Sequence, residues 1–273
     1  VKNLYCIPGN AGTSEICNNI NININNFDEI YKVVVAKKIE LIVVGPEEPL
    51  VNGITDFFEK KNINIFGPSK MASRLEGSKA FMKGICKEFA IPSAKYEEIN
   101  NLDEANKALE KFKVPIVVKS DALAGGKGVT ICNTKQDAFN DIKNILSGKF
   151  EKSKKVIIEE FLQGEEASYF VVTDGENYIP IGTAQDHKRI GENDTGLNTG
   201  GMGAYSPSFL ISKEVDEKIK KTIIEPTINA MKAKGCPYKG ILYAGLMINK
   251  SQPKLIEYNI RFGDPECQVL MMR

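Results

Sequence analysis

The sequence predicts an α/β protein built from more than one layered unit. Short apolar runs alternate with helical patterns through the first seventy residues, a glycine-rich turn separates two β-branched runs near the middle, and two strand-like runs close the chain. The 273 residues are 42% hydrophobic and 26% charged, enough for two domains or one large α/β domain. A formal net charge of +1 gives no reason to expect nucleic acid or an acidic membrane surface as partner. No apolar run approaches roughly 18 residues, so no membrane span is expected, and the opening VKNLYCIPGN lacks the apolar core of a signal peptide. The six cysteines are scattered without a Cys-x-x-Cys pair, and His187 is the only histidine. That usage argues against structural zinc and fits a reducing, cytoplasmic compartment. The absence of an initiator Met reads as a chain that begins inside a longer protein.

Taken in order, IELIVVGP (Ile39–Pro46) reads as a buried strand, PLVNGITDFFEKKN (Pro49–Asn62) as a helix with Leu50, Ile54, Phe57 and Phe58 on one face, and INIFGP (Ile63–Pro68) as the next strand. Strand, helix, strand with short loops implies parallel pairing. The run NNINININNF is compositional drift around one short strand. A helix is predicted from about Lys70 to Ala90, stopped before Pro92, and a second over 101–113 with Leu102, Ala105, Leu109 and Phe112 on one face. A strand at VPIVVKSD, the glycine turn, a strand at GVTICN and a helix over Lys135–Leu146 follow. Val156–Glu160, Ala167–Thr173 and Tyr178–Ile181 read as strands, the last two joined by a hairpin at Asp174-Gly175. Residues 184–209 show little periodicity and much Gly, Asn, Thr and Asp, and a structureless stretch of that length is usually functional. A helix (Lys213–Lys234) and the strands GILYAGLMINK and PKLIEYNIRF complete the chain.

Three stretches carry chemistry. In VVKSDALAGGKGVT, Lys119 and Lys127 bracket Gly125, Gly126 and Gly128. This is not a phosphate loop of the G-x-x-x-x-G-K-[ST] type: the first glycine is missing, Gly128 follows the lysine, and a strand rather than a helix comes next. A glycine hairpin can still fold over a ligand and aim its N–H groups at phosphate oxygens; an exposed turn with two solvated lysines is the equally weighted alternative. In LIEYNIRFGDPE, residues two apart share a strand face, so Glu257, Asn259 and Arg261 line up. A carboxylate beside an amide oxygen suits Mg²⁺ carried by nucleotide phosphates, and the arginine suits a transferring phosphoryl group. In VIIEEFLQGEE, the strand end Glu159-Glu160-Phe161-Leu162 offers backbone groups and a carboxylate to an adenine edge, with Glu166 available for ribose hydroxyls.

With these pieces in order, the sequence resembles the ATP-grasp superfamily and, within it, the phosphoribosylamine–glycine ligase family. The resemblance rests on PGNAGT, VGPEEPLV, FGPSKMASRLEGSKAFMK, VVKSDALAGGKGV, IEEFLQGEEAS, QDHKR, DTGLNTGGMGAYSP and IEYNIRFGDPECQ, which span almost the whole chain. It implies an ATP-grasp fold over residues 72–273, two α+β subdomains clasping ATP with 93–162 as a mobile lid, preceded by a partial Rossmann-like parallel α/β domain over residues 1–71. It also implies a reaction: glycine's carboxylate takes the γ-phosphate of ATP, and the amine of 5-phosphoribosylamine displaces phosphate from glycyl phosphate. Lys79, Lys119, Lys127 and the Gly125–Gly128 turn would hold ATP phosphates, Glu159, Glu160, Phe161 and Leu162 adenine, Glu166 ribose, and Glu257 with Asn259 Mg²⁺ or Mn²⁺. Gly9, Asn10, Gly12, Thr13, Asp186, His187, Lys188, Asn198, Thr199, Gly200, Gly201, Met202 and Arg261 would face the substrates, with Lys119, Arg261 and Asp264 catalytic. Asp186 would hold the charge of His187, whose role is substrate contact or pinning of the loop rather than general base.

Three departures stand out. The strand LYAGLM carries no acidic metal ligand, Leu197 replaces the family's usual proline, and the family's opening GSGGREHA-type loop and its C-terminal domain lie outside this sequence. The expected state is a monomer without nucleic-acid or membrane partners. Another ATP-grasp carboxylate–amine ligase and a non-catalytic nucleotide-binding fragment are the rival readings; a dinucleotide oxidoreductase would need a strand–GxGxxG–helix unit, and none is visible.

Overall fold

The computed structural model describes residues 1–121, 123, 128–150, 155–192 and 195–273. At the N-terminus β1 (Tyr5–Cys6) pairs in parallel with β2 (Asn18–Asn19), and α1 (Phe27–Ala36) follows, capped by the Asn26 side chain. β3 (Ile42–Val43) then leads through α2 (Glu47–Asn52) and α3 (Ile54–Glu59) to its parallel partner β4 (Ile65–Phe66). The helix expected over Pro49–Asn62 is therefore two. Gly53 at φ +97° ends α2 in a left-handed conformation that an apolar periodicity does not register. Leu50, Ile54 and Phe58 still enter the core.

The helix expected over Lys70–Ala90 is likewise broken, into α4 (Arg74–Gly77) and α5 (Lys79–Glu88). Ser78 between them is extended and caps α5 through the Phe81 N–H. The break frees the start of α5 to meet Asp121 from the end of a later strand. Its Oδ1 accepts from the Ala80 N–H at 3.0 Å and from the Ser78 hydroxyl at 3.2 Å.

Between Ser93 and Leu162 lie β5 (Tyr96–Ile99), α6 (Leu102–Lys111), β6 (Ile116–Ser120), β7 (Val129–Cys132), α7 (Lys135–Asn144) and β8 (Val156–Glu160), an antiparallel sheet of order β5-β8-β6-β7 under two helices. Ile116, Val118, Val156 and Ile158 pack with Ala105, Leu109, Ala138 and Ile142 in a core of their own. Strand alternation sends Val117, Lys119, Ile157 and Glu159 to the opposite face, where register sets Val117 against Glu159 and Lys119 against Ile157. β6 and β7 pair antiparallel; of the glycine-rich stretch between them, Ala122, Ala124, Gly125, Gly126 and Lys127 lie outside the described residues.

The second sheet is antiparallel, in the order β13-β10-β9-β14-β15. It comprises β9 (Glu165–Thr173), β10 (Tyr178–Asp186), β13 (Ala204–Tyr205), β14 (Gly240–Asn249) and β15 (Gln252–Asn259). The short β11 (Arg189–Gly191) and β12 (Thr195–Asn198) form a separate hairpin. Residues 184–209 are thus not structureless: backbone pairing among Gly, Thr and Asn builds strands without a hydrophobic period. α8 (Lys213–Ile219) and α9 (Glu225–Ala233) run together through a wider turn at Lys220–Ile224, and α10 (Glu266–Met271) closes the chain. Tyr169, Leu242, Leu246 and Tyr258 of the sheet pack with Met82 and Ile85 of α5 and with Ile219 and Ile228 of α8 and α9. The four-stranded unit is tied to this body at its root, where the Leu255 N–H donates to the Pro92 carbonyl at 2.7 Å. No helix among the described residues is long and apolar enough to cross a membrane.

Candidate active site

The polar face of β6 and β8 meets α5. Lys83 on α5 and Lys119 on β6 both reach Glu159 Oε2, at 3.3 and 3.1 Å, and their side chains are 0%, 6% and 4% exposed in the order Lys83, Lys119, Glu159. Lys83 also donates to the Ala94 carbonyl at 3.2 Å. Burial pushes the Lys83 ammonium below its ordinary value, with Glu159 pulling the other way. The other carboxylate oxygen, Glu159 Oε1, is buried and has no hydrogen-bond partner. An orphaned acceptor beside two ammoniums that share one carboxylate costs free energy. An N–H donor and an anion are the groups that would satisfy this cluster.

The strand end beyond Glu159 is pinned. Glu160 Oε1 accepts from the Lys95 N–H at 3.1 Å and lies 3.6 Å from Lys254 Nζ. Phe161 is exposed and Leu162 half-buried. Glu166 pairs with Lys188 at 2.8 Å, and Lys188 also faces Asp186 at 3.9 Å. Burial opposes the Lys188 charge, but Glu166, Tyr243, Asp186 and Glu257 outweigh it and hold its pKa above the usual lysine value. Burial also pushes the Asp186 carboxyl up, against Lys188. Asp186 thus holds Lys188 and not His187. Side chains two apart at a strand end share a side, while the His187 ring lies on the other, 6.0 Å from the Tyr205 ring and exposed.

The loop after β12 is folded back on the same segment. The Met202 N–H donates to the His187 carbonyl at 2.8 Å, the His187 N–H to the Gly203 carbonyl at 2.9 Å, and the Thr199 N–H to the Lys188 carbonyl at 2.7 Å. Thr199 Oγ1 accepts from the Gly201 N–H. Gly201 stands at φ +115°, and a Cβ there would meet Pro265 at 2.5 Å, so this loop needs glycine to lie against Asp264-Pro265. His187, Lys188, Thr199–Met202 and Asp264 are therefore brought together, with exposed Gly200 at the tip. Asp264 Oδ1 accepts from Gln268. Asn198 lies in β12 opposite Arg189.

Glu257 and Asn259 lie two apart on β15, opposite Gly245 and Tyr243. Glu257 is near enough to Lys79 to offset part of the lowering that burial imposes on that lysine. Among the described residues no group of three His, Cys, Asp or Glu could hold a metal by itself. One carboxylate with one amide oxygen nevertheless fits a hard divalent cation that brings its remaining oxygens on phosphates and water. β15 ends at Asn259, so Arg261 stands beyond the strand. Its Nε donates to Glu47 at 2.8 Å, one terminal nitrogen to the Phe262 carbonyl at 2.9 Å, and the other lies 3.7 Å from Glu76. Burial pushes Glu76 up to about 7 against the pull of Arg261; burial opposes but the Arg261 hydrogen bond holds Glu47 below the usual carboxylate range. In the N-terminal loop, Asn10 and Thr13 exchange hydrogen bonds and Asn19 donates to the Asn10 carbonyl. Gly9 at φ +79° sits against Asn19, where a Cβ would clash at 2.2 Å, and Gly12 precedes the short turn at Thr13.

The sequence reading missed Lys83, Asp121, Glu47 and Glu76. Lys83 had a signal, since it stands one helical turn from Lys79. Glu47 had none, because its partner is 214 residues away.

A four-stranded sheet with two helices, rooted on a larger antiparallel sheet and bringing two lysines and a carboxylate together against α5, matches the ATP-grasp architecture. A crystal structure of biotin carboxylase from Campylobacter jejuni superposes on 91% of the chain and 54% of its own with a TM-score of 0.71 at 21% identity, a likeness of fold. The family model for the phosphoribosylglycinamide synthetase N domain matches residues 1–76, and that for its ATP-grasp (A) domain matches residues 77–267. The chain belongs to the phosphoribosylglycinamide synthetase family. It is 49% identical to the phosphoribosylamine–glycine ligase of Mesorhizobium japonicum over 99% of its own length and 64% of the relative's. It superposes on the Thermotoga maritima phosphoribosylamine–glycine ligase with a TM-score of 0.87 at 34% identity, covering 99% of this chain and 66% of that one. The chain thus spans somewhat under two thirds of the curated relative's length.

Proposed function

We propose that the chain is the ATP-binding and glycine-activating part of a ligase that joins glycine to 5-phosphoribosylamine, giving glycinamide ribonucleotide, ADP and phosphate. The observation that carries the nucleotide half is the buried, unpartnered Glu159 Oε1 beside Lys83 and Lys119. An adenine amino group supplies the missing donor and the phosphates supply the missing negative charge. Support for the substrate half is the family membership and the relatives' names.

In this reading the residues of 159–162 hold adenine and Glu166 takes the ribose, releasing Lys188 toward the reacting phosphate and the glycine carboxylate. Lys79 and Lys119 hold phosphates, with Lys127 and Gly125–Gly128 closing over them as segment 93–162 shuts like a lid. Glu257 and Asn259 would hold Mg²⁺ or Mn²⁺, whose contribution when bound is neutralisation of phosphate charge. Arg261 adds positive field at the end of β15, its plane fixed by Glu47 and Glu76, and Asp264 orients the 199–203 loop over the substrates. Gly9, Asn10, Gly12 and Thr13 face phosphoribosylamine from the N-terminal domain. Positioning and charge neutralisation carry such a reaction, so little acid–base chemistry is asked of the protein. We place it as a monomer in the cytosol.

The test is phosphate release by the intact enzyme with MgATP, glycine and 5-phosphoribosylamine. Omission of either glycine or the amine is expected to abolish steady turnover. Equal turnover with an unrelated amino acid and amine in their place would move the assignment to another carboxylate–amine ligase.

A further inference from the structure

Lys83 is a buried charge that the reaction above does not use. It stands on α5, has no exposed side-chain surface, and spends its ammonium on Glu159 Oε2 and the Ala94 carbonyl. Lys119 holds the same oxygen, but it projects from β6 and has phosphates to attend to when nucleotide is bound. Lys83 is anchored at both contacts and remains. With Oε2 so held, the carboxylate plane is fixed, and the buried, unpartnered Oε1 is an acceptor that can receive an N–H but repels an oxygen. The groups around Glu159 are Lys83 and Cys86 of α5, Tyr96 of β5 and Lys119 of β6; the lysines are the only ion-pair partners of its carboxylate among the described residues.

We infer that Lys83 is the positioning residue that sets base selectivity: by holding Glu159 Oε2 it presents Oε1 to the exocyclic amino group of a 6-aminopurine and excludes a 6-oxopurine. The inference rests on the nucleotide reading of this site and goes beyond it. A 6-amino group donates to Oε1 and satisfies it. A 6-oxo group would leave Oε1 unpaired and set two oxygens against each other, a difference of about 100-fold in affinity for a charged hydrogen bond. Without Lys83 only Lys119, which the phosphates also claim, holds Oε2, so the carboxylate is free to turn and the penalty on the oxo group falls.

The experiment is calorimetric binding of ATP and of inosine triphosphate to the wild-type chain, Lys83→Met, Lys83→Gln and Glu159→Gln, each checked for a cooperative melt. The wild type is expected to prefer ATP by about 100-fold, and Lys83→Met or Lys83→Gln to shrink that preference at least about tenfold. Glu159→Gln, whose amide offers either a donor or an acceptor, is expected to bind the two nucleotides within about threefold of each other. A general loosening of the lid would weaken both nucleotides alike and leave the ratio unmoved, so a folded Lys83 variant that keeps the wild-type ratio overturns the inference. A wild type that binds ATP and inosine triphosphate equally also overturns it, while leaving the nucleotide site standing. If both Lys83 variants fail to fold, Glu159→Gln decides: retention of the ATP preference there overturns it. A wild type that binds neither nucleotide removes the nucleotide reading itself.

Discussion

Two clusters of three charges are near mirror images. Where the four-stranded sheet meets α5, two lysines share one carboxylate, Lys83 and Lys119 on Glu159, and an acceptor is left over. At the end of β15, two carboxylates share one arginine, Glu47 and Glu76 on Arg261, and the spare nitrogen reaches a carbonyl. The second cluster joins the N-terminal domain through α2, the helix α4, and the strand that carries Glu257 and Asn259; Glu76 also accepts from the Ile260 N–H at 2.8 Å. It is closed and reads as a joint. The first carries excess charge and an unmet hydrogen bond, and reads as a place where something binds. Satisfied buried charge fixes geometry; unsatisfied buried charge is tolerated where a ligand completes it.

The largest effect is expected at the residue lying between the clusters. Glu257 faces Lys79 and Lys188 on the open side and Glu76 on the closed side. Glu257→Ala in the intact enzyme is expected to cut turnover by about 1,000-fold or more, as loss of a charge-stabilising group does, while the melting temperature holds. Phosphate release at the wild-type rate would sink the metal assignment. Lys119→Met tests the open cluster itself. Nucleotide affinity should fall by about 100-fold. Stability should hold or rise by about 1 kcal/mol, because one ammonium then balances one carboxylate. A large loss of stability would make this cluster a joint like the other.

Arg261→Ala is the counterpart on the closed side. Its side chain is 24% exposed, which discounts the cost of a fully buried pair to about 2 kcal/mol. The pH dependence has a definite sign. Glu76, raised from 4.5 to about 7, binds its proton more tightly folded than unfolded. Its contribution is therefore present below about pH 4.5 and lost as pH rises through about 7. Without Arg261 the carboxyl rises further, so the variant should lose more stability between about pH 6 and about pH 8 than the wild type does. Denaturant melts at the two pH values decide it, and parallel losses would remove Glu76 from the account. If segment 93–162 closes as proposed, nucleotide should also slow amide exchange in β6 and β7 more than in β3, which lies outside that segment; equal protection in both would argue against closure.

What the sequence made legible follows from range. The hairpin β6–β7 and the pair β14–β15 could be read because alternation and glycine are local signals. The breaks at Gly53 and Ser78 could not, since one residue's backbone angle interrupts a helix without interrupting its apolar stripe. The strands inside 184–209 escaped because their cohesion is backbone pairing among small polar residues. At the site, Glu257 with Asn259 and Glu159 stood out as strand-face or strand-end polar residues. The partners of Arg261 did not, because charge pairing across 214 residues leaves no local trace.

The smallest effect is expected at His187, which belongs to neither cluster. A lone histidine beside an acid and two bases invites the role of general base. Its ring lies toward Tyr205 and is exposed, its backbone holds Met202 and Gly203, and Asp186 is turned to Lys188 instead. Among the described residues no carboxylate orients that imidazole, and in the proposed reaction phosphate is a good enough leaving group for the amine to displace from the acyl phosphate unaided. His187→Asn in the intact enzyme should therefore raise the Michaelis constant for glycine or 5-phosphoribosylamine and lower turnover by no more than about tenfold, below the ~100-fold at which general-base contributions begin. Steady-state series in each substrate at saturating MgATP measure both quantities. A turnover loss beyond about 100-fold with unchanged Michaelis constants would restore the general base. It would also show that the site depends on a proton acceptor as well as on the open charge cluster around Glu159.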